Sequence, residues 1–366
     1  MKILLVIPLA FGGGAEQVAA VLSREWAQTH TVRVLTYHLG PEQLDFGVPL
    51  ETLSVPARPD LWGRITNAWR RVRAVRQLTR EFQPDSVMAF MDEAGMVCVL
   101  AGLLDGWLSR LIVSVHHNPQ WLSPLRRLML ALFYRFPARV VAVSQGVQEE
   151  LRKSLHMAAA RLAHIPNPLV LRPPEESGAL PADLPSRFIL FVGRLDWQAK
   201  GLDVLLDAYA ALPVGRPPLL LVGDGADRGK VEEQAARLGL TQEVRLLGWV
   251  RDPRPFYQHA SVFVMSSRFE GWSNVLMEAM GEGCLVAGTA CPYGPPEILG
   301  PDLQHMLVPV GDSAALAQAI QARLTMPEHA RRDLQAALRA RAHSFAAPDV
   351  AQRWIALAQQ TLGEAR

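Results

Sequence analysis

Apolar residues along this chain fall in short continuous runs, separated by segments where they recur every three or four positions. In the first part, the runs Lys2–Ile7, Val32–Tyr37, Ser86–Phe90, Leu111–Val115 and Val140–Val143 predict strands. Continuous apolar character, not alternation, marks parallel strands buried on both faces. Helical spacing predicts helices over Glu16–Trp26, Ile65–Glu81, Pro124–Phe136 and Gly146–Leu155. A second series repeats the logic. Its predicted strands are Phe188–Val192, Leu219–Val222, Val244–Leu247, Ser261–Met265 and Leu285–Ala287. Its helices are Gly201–Leu212, Asp227–Leu238, Val275–Met280, Ser313–Leu324 and a long one from Pro327 onward. Strands alternating with helices define an α/β protein with parallel sheets.

Between the two series the pattern lapses. Pro166, Pro168, Pro173, Pro174, Pro181 and Pro185 fall here among acidic residues, which predicts an interdomain linker. The expected division is an N-terminal domain at 1–165, a linker at 166–187 and a C-terminal domain at 188–345. A terminal segment at 346–366 completes it, its helix running from Pro348 to about Gly363 after a break at Phe345-Ala346-Ala347. A length of 366 residues suits two domains.

Composition changes this picture little. Apolar residues make up 49% of the chain and the net charge is +2, which excludes a disordered chain and argues against a nucleic-acid binder. Cys98, Cys284 and Cys291 lie in apolar or strand-like surroundings and are expected to be buried reduced thiols, in keeping with a cytoplasmic location. The run Met1–Ala10 resembles a signal peptide, but it is short and leads directly into a glycine loop and a helix, so a first strand is expected. No membrane-spanning helix is expected, because the longest apolar stretch, Met96–Leu108, is broken by Asp105.

The chemistry concentrates in loops that follow strands. Ser261–Met265 runs into Ser266-Ser267-Arg268-Phe269-Glu270-Gly271-Trp272-Ser273-Asn274 and then into the helix at Val275. A strand, a polar glycine-containing loop and a helix N-terminus make an anion site, with backbone N–H groups and the positive helix end facing the ligand. A carboxylate at each end, Glu270 and Glu278, suits hydroxyls and not phosphate; on spacing alone, Glu278 as a solvated helix residue and Ser273 as a simple cap remain the alternative. In Val192-Gly193-Arg194-Leu195-Asp196-Trp197-Gln198-Ala199-Lys200, two cations follow a strand end, as neutralising a diphosphate requires. Val222-Gly223-Asp224-Gly225 is neither a dinucleotide fingerprint nor a P-loop, and is expected to be a structural turn. Phe11-Gly12-Gly13-Gly14-Ala15-Glu16 is a loop that can approach a ligand closely, with Glu16 expected to cap the following helix. His116 and His117 end the strand Leu111–Val115, and no second cluster has metal-ligand spacing.

Taken together, these blocks resemble the family 4 glycosyltransferases, retaining enzymes of the GT-B fold. Glu270 and Glu278 match the E-x7-E motif, with Gly271, Asn274, Leu276, Ala279 and Met280 matching around them. Ala290-Cys291-Pro292-Tyr293-Gly294-Pro295-Pro296-Glu297-Ile298-Leu299 is similar to the family's segment after the next strand, where Glu297 is expected to cap or orient. The resemblance implies two Rossmann-like domains facing a central cleft, with the final helix crossing back to the first domain. It implies catalytic roles for Arg194, Lys200, Glu270 and His116, with His117 as the alternative histidine. It implies donor contacts from Gly13, Gly14, Gly193, Val250, Gly271, Trp272, Ser273, Asn274, Val275 and Glu278. Arg194 and Lys200 would stabilise a leaving diphosphate, Glu270 would position the donor sugar, Glu278 would hold the ribose, and backbone near Gly248-Trp249-Val250 would meet the base.

The implied reaction moves a hexosyl or N-acetylhexosaminyl unit from a UDP-sugar to a glycan acceptor in bacterial surface-polysaccharide assembly. No cofactor and no metal are expected, the nucleotide-sugar being a co-substrate. Lipid-linked acceptors are common in the family. The basic stretch from Arg58 to Arg80, with Trp62 and Trp69, and the stretch Trp121 to Arg139 suit an anionic membrane surface, here the cytoplasmic face of the inner membrane. Ordinary solvated helix faces are the alternative for both. Open alternatives for the function are GDP-mannose-dependent mannosyl transfer, a sugar epimerase or phosphorylase of the same fold, and a non-catalytic nucleotide-sugar-binding protein.

Overall fold

A computed structural model describes residues 1–40, 43–53, 60–171 and 178–364. Arg58, Pro173 and Pro174 lie outside the described residues, as does the side chain of Arg64. The chain divides into two compact units: Met1–Val170 with Ala347–Arg366, and Leu171–Ala346.

In unit 1 the order is β1 (Lys2–Leu9), α1 (Gly14–Ala27), β2 (Thr31–His38), β3 (Leu50–Thr52), α2 (Leu61–Phe82) and β4 (Ser86–Phe90). It continues with α3 (Asp92–Asp105), β5 (Leu111–Val115), α4 (Pro124–Phe133), β6 (Arg139–Ala142), α5 (Gln145–Ser154) and β7 (Leu162–His164). The seven strands form one parallel sheet in the order β3-β2-β1-β4-β5-β6-β7. Leu5 pairs in register with Val34 on one side and Met88 on the other, and all three are fully buried.

Unit 2 contains β8 (Ile189–Val192), α6 (Trp197–Lys200), α7 (Leu202–Ala210), β9 (Leu219–Val222), α8 (Arg228–Arg237), β10 (Val244–Gly248) and α9 (Arg254–His259). It continues with β11 (Val262–Met265), α10 (Asn274–Gly281), β12 (Val286–Thr289), α11 (Pro295–Leu303), β13 (Leu307–Val308), α12 (Ser313–Leu324) and α13 (Glu328–His343). Its six-stranded parallel sheet runs β10-β9-β8-β11-β12-β13. The last helix, α14 (Ala347–Glu364), belongs to unit 1. Its face of Val350, Ala351, Trp354, Ile355 and Ala358 packs into the core that holds Val18, Ala19, Leu22 and Trp26 of α1.

Both sheets reverse strand order beside their first strand, β1/β4 in unit 1 and β8/β11 in unit 2. Ligands of open α/β sheets bind beyond the carboxyl ends of strands at such a switch point. The segments that follow these strands are the glycine loop before α1, Met91 at the N-cap of α3, Gly193–Asp196 and Ser266–Ser273.

The structure adds elements that the sequence pattern does not show. β3, β7 and β13 are three, three and two residues long, too short for a pattern. Helix α3 was expected only as an apolar stretch. Ala94, Gly95, Val97, Cys98, Val99, Ala101 and Gly102 are all buried, so little amphipathic contrast remains to reveal it. α9 and α11 each contain proline in the first turn and are short. The helix expected over Gly201–Leu212 is α7 at Leu202–Ala210, and a separate short helix, α6, precedes it, the two divided by Gly201 in a left-handed conformation (φ 58°). The helix expected to reach Phe136 ends at Phe133.

Candidate active site

The β8–α6 and β11–α10 loops of unit 2 bring Lys200 and Glu270 together. Lys200 ends α6, whose N-cap Asp196 accepts a hydrogen bond from the Ala199 N–H at 3.0 Å. Glu270 lies in the loop after β11 and is 8% exposed. Lys200 Nζ donates to Glu270 Oε1 at 2.7 Å, and the Ser267 hydroxyl donates to the same oxygen at 2.7 Å. Ser267 is itself buried, and its carbonyl accepts from the Thr289 hydroxyl of β12. Glu270 Oε2 receives no donor from any described residue, so one carboxylate oxygen is anchored and the other can accept from a sugar hydroxyl. Arg194 points outward with its side chain 72% exposed, touching Asp196 at 3.3 Å.

Helix α10 starts just beyond. Ser273 occupies its N-cap position but makes no side-chain cap, and its hydroxyl donates to Met265 Sδ at 3.2 Å. The helix therefore presents a positive end without a capping oxygen, as an anion site requires. Trp272 does not offer its ring to this site: it is 7% exposed and packs edge-on against Phe345, with centroids 5.4 Å apart. Its indole N–H finds no acceptor among the described residues. Gly271 and Ser273 are buried, while Asn274 and Val275 are half-buried at the helix start. Gly294 sits against this segment, where a Cβ would lie 3.0 Å from Trp272 Cα. Glu297, in the first turn of α11, lends its carbonyl to Arg341 Nη2 at 2.6 Å.

The Gly223-Asp224-Gly225 turn has a steric reason. A Cβ on Gly223 would lie 1.9 Å from the Gly193 carbonyl oxygen, and one on Gly225 would lie 2.4 Å from that of Leu195. The Gly193 N–H donates to the Val222 carbonyl, and the Leu195 N–H to that of Asp224. The turn is thus the floor under the Gly193–Asp196 loop. The Gly223 N–H donates to the Gly248 carbonyl, and half-buried Val250 follows two residues later.

Glu278 lies on α10, where its Oε2 accepts from the hydroxyl of Tyr257 at 3.1 Å. Burial pushes its carboxyl up to about 7. The Tyr257 bond pulls it down, while Asp252 and Glu282 push it further up.

Unit 1 contributes two features. Glu16, in the first turn of α1, is 4% exposed, and its carboxylate folds back over Gly13, where a Cβ would lie 1.9 Å from Oε2. It makes no cap to the helix from the N-cap position, which is Gly13, but accepts from its own N–H. Burial raises its carboxyl and that bond lowers it. The two histidines part company. The His116 ring packs on Phe90 at 5.5 Å, with Nε2 at 2.9 Å from Ser114 Oγ. Burial, with the neighbouring His117 second, pushes it down to about 3, so the ring is neutral at physiological pH. His117 Nε2 instead lies 3.2 Å from Asp92 Oδ2. Asp92 is 2% exposed and accepts from the Tyr134 hydroxyl at 2.6 Å. Burial alone would raise its carboxyl, but His117, Tyr134 and Arg126 together hold it below the ordinary range.

The sequence did not single out Ser267, Thr289, Tyr257 or Asp92. Each is a common residue type whose partner is distant along the chain or set by a turn, and only Asp92, opening a helix after a strand, carries a local signal. Among the described residues, no group of three His, Cys, Asp or Glu side chains could hold a metal ion, and no helix is long and apolar enough to cross a membrane.

Residues 12–172 match the family described as Glycosyltransferase Family 4, and residues 186–326 match Glycosyl transferases group 1. The chain belongs to these glycosyltransferases, and its two Rossmann-like parallel-sheet units are those of the GT-B fold. Among curated relatives, it is 25% identical over 367 residues to the GalNAc-alpha-(1->4)-GalNAc-alpha-(1->3)-diNAcBac-PP-undecaprenol alpha-1,4-N-acetyl-D-galactosaminyltransferase of Campylobacter jejuni, covering 98% of each chain. It is 30% identical to the lipopolysaccharide 1,6-galactosyltransferase of Salmonella typhimurium, over 47% of this chain and 48% of that one. Among solved structures, Anabaena HepE in complex with UDP superimposes with a TM-score of 0.80 at 21% identity, covering 98% of this chain and 100% of HepE.

Proposed function

We propose that this protein is a retaining, metal-independent glycosyltransferase. It moves a hexosyl or N-acetylhexosaminyl unit from a UDP-sugar to a lipid-linked glycan in bacterial surface-polysaccharide assembly. The observation that carries this reading is the Lys200–Glu270 contact of 2.7 Å beside the uncapped N-terminus of α10. A cation, a helix end and a half-anchored carboxylate at one place suit a diphosphate joined to a sugar, and suit neither alone. Arg194, Lys200 and the helix end would stabilise the charge that builds on the departing UDP. Glu270 Oε2 would accept from a sugar hydroxyl and Glu278 from the ribose. The neutral His116 would meet the sugar as a hydrogen-bond partner and not as an acid. Retention follows if the leaving phosphate takes the acceptor's proton on the face it vacates, a route that suits a site with no evident nucleophile among the described residues.

The names of the relatives support a UDP-sugar and a lipid-linked acceptor: a galactosaminyltransferase acting on an undecaprenol-linked glycan, and a structure holding UDP. Helix α4 supports membrane contact. Leu125, Leu128 and Leu132 are 69%, 58% and 48% exposed, and Arg126, Arg127 and Arg135 lie beside them in the sequence, which suits an anionic lipid surface.

The test is a thermal-shift panel of UDP-, GDP- and ADP-sugars, followed by product analysis with the stabilising donor. Stabilisation by UDP-sugars alone, an α-linked product from an α-donor and full activity in EDTA are expected. Silence from every nucleotide defeats the transferase reading. A glycosyl-enzyme trapped on Glu270 defeats the same-face mechanism.

A further inference from the structure

We infer that Tyr257 is the positioning residue for the ribose-binding carboxylate: its buried hydroxyl holds Glu278 Oε2 and leaves Oε1 aimed at the ribose hydroxyls of the donor nucleotide. The inference rests on the ribose role given to Glu278 above. Tyr257 is fully buried on α9, its ring edge-on to Phe263 of β11 with centroids 5.6 Å apart. A ring fixed by packing on a strand cannot follow its partner, so the partner must come to it. Its hydroxyl donates to Glu278 Oε2 at 3.1 Å, and no described residue donates to Oε1. The next residue, Gln258, donates to Glu282 Oε2 at 2.6 Å. Glu278 and Glu282 lie one helical turn apart on α10 and its C-cap, where like charges repel. Two consecutive donors of α9 thus hold two consecutive carboxylates of α10 apart. A glutamate otherwise free to rotate about three bonds enters binding with its orientation already set, which lowers the entropy lost when the ribose arrives.

The same short helix begins at Arg254, with three residues between it and the stretch Gly248-Trp249-Val250, which the family resemblance places at the base. Tyr257 would therefore belong to the nucleoside half of the site and not to the diphosphate half. That separates its effect from those of Lys200 and Arg194.

The test is a ratio. Affinities for UDP and for 2′,3′-dideoxy-UDP are measured by calorimetry on the full chain, for wild type, Y257F, E278A and Y257F/E278A. Wild type is expected to prefer UDP by at least about tenfold, the scale of one hydrogen bond to a charged group. Y257F should cut that preference several-fold, leaving dideoxy-UDP binding within about twofold, because only an orientation toward the ribose has been lost. In the E278A background, Y257F should change nothing. Equal weakening of both nucleotides by Y257F, or an unchanged ratio, overturns the inference and leaves Tyr257 a packing residue. A wild type that does not distinguish the nucleotides overturns the ribose reading of Glu278 itself, a separate failure. Should Y257F alone not fold, its orphaned carboxylate is the expected reason, and Y257F/E278A, which removes both partners, is expected to fold. A ratio that differs between E278A and Y257F/E278A then overturns the pairing.

Discussion

At the scale of single residues, the chemistry depends on charges held in place before any ligand arrives. Lys200 holds Glu270, and Ser267 secures the same oxygen. K200A removes a cation from the leaving diphosphate and leaves Glu270 with one donor. Turnover measured with saturating donor is expected to fall by about 10²–10³-fold, the usual cost of one electrostatic stabiliser. E270Q, which keeps the shape, should weaken the sugar-dependent part of donor binding and spare UDP. The Glu278 carboxyl makes a second prediction, in stability. Its ordinary value is 4.5, and burial raises it to about 7 in the folded protein. Folding therefore binds its proton more tightly, so the stabilisation is complete below about pH 4.5 and is lost as pH rises to about 7. E278Q stays neutral and suffers no such loss. Urea denaturation without nucleotide should show E278Q gaining on wild type across that window, by no more than about 3 kcal/mol. A gap that is flat with pH would contradict the raised carboxyl. The sequence makes Glu270, Glu278, Arg194 and Lys200 legible, because each falls at a fixed offset from a strand end or helix start. It does not show that Lys200 and Glu270 touch across 70 positions, or that Tyr257 reaches Glu278 from another helix. Such contacts are products of sheet order, which no local pattern encodes.

Among the elements, the sites stand on turns whose shape excludes side chains. G223A places a Cβ where the Gly193 carbonyl oxygen sits, at a φ of 135° that L residues rarely adopt. Neither backbone can yield without moving the Arg194 loop. The variant is expected to lose more than about 2 kcal/mol by urea denaturation, and nucleotide affinity with it. Helix α4 carries the opposite kind of risk, apolar surface with no cover. Substituting Leu128 and Leu132 with glutamate should leave the melting temperature unchanged, since both side chains are exposed. It should weaken sedimentation with phosphatidylglycerol-rich vesicles by at least about tenfold, each leucine being worth on the order of 1 kcal/mol or more in transfer. Unchanged sedimentation would assign those leucines to something other than lipid. Elements with continuous apolar runs were legible: β1, β2, β4, β5 and β6 in unit 1 and β8 to β12 in unit 2 fall on the predicted runs to within a few residues. Helix α3 was not, for the physical reason that burial on nearly every side erases amphipathic contrast.

For the whole molecule, unit 1 is discontinuous. It is closed by a helix that lies beyond all of unit 2 in the sequence. Trp354 of α14 is 2% exposed and stacks on Phe90 at 5.3 Å, while Phe90 carries His116 on a second contact at 5.5 Å. Trp26 of α1 packs edge-on to Trp354 and donates its indole N–H to the Ala351 carbonyl at 3.2 Å. The last helix is thus part of the packing under the histidine at the end of β5, two steps removed from it. W354A should cost about 3–5 kcal/mol, as large aromatic truncations in cores do. Unit 2 keeps its own core, built from residues between Ile189 and Ile320, so the loss should be local. Calorimetry of W354A is therefore expected to show one early transition and one near the wild-type temperature, only the later one rising when UDP is added. Transfer to acceptor should fall while UDP affinity holds within about twofold, under about 0.5 kcal/mol, because the residues proposed to hold UDP stand on the separate core of unit 2. A single early transition, with UDP binding lost as well, would mean that the stability of unit 2 depends on α14 after all.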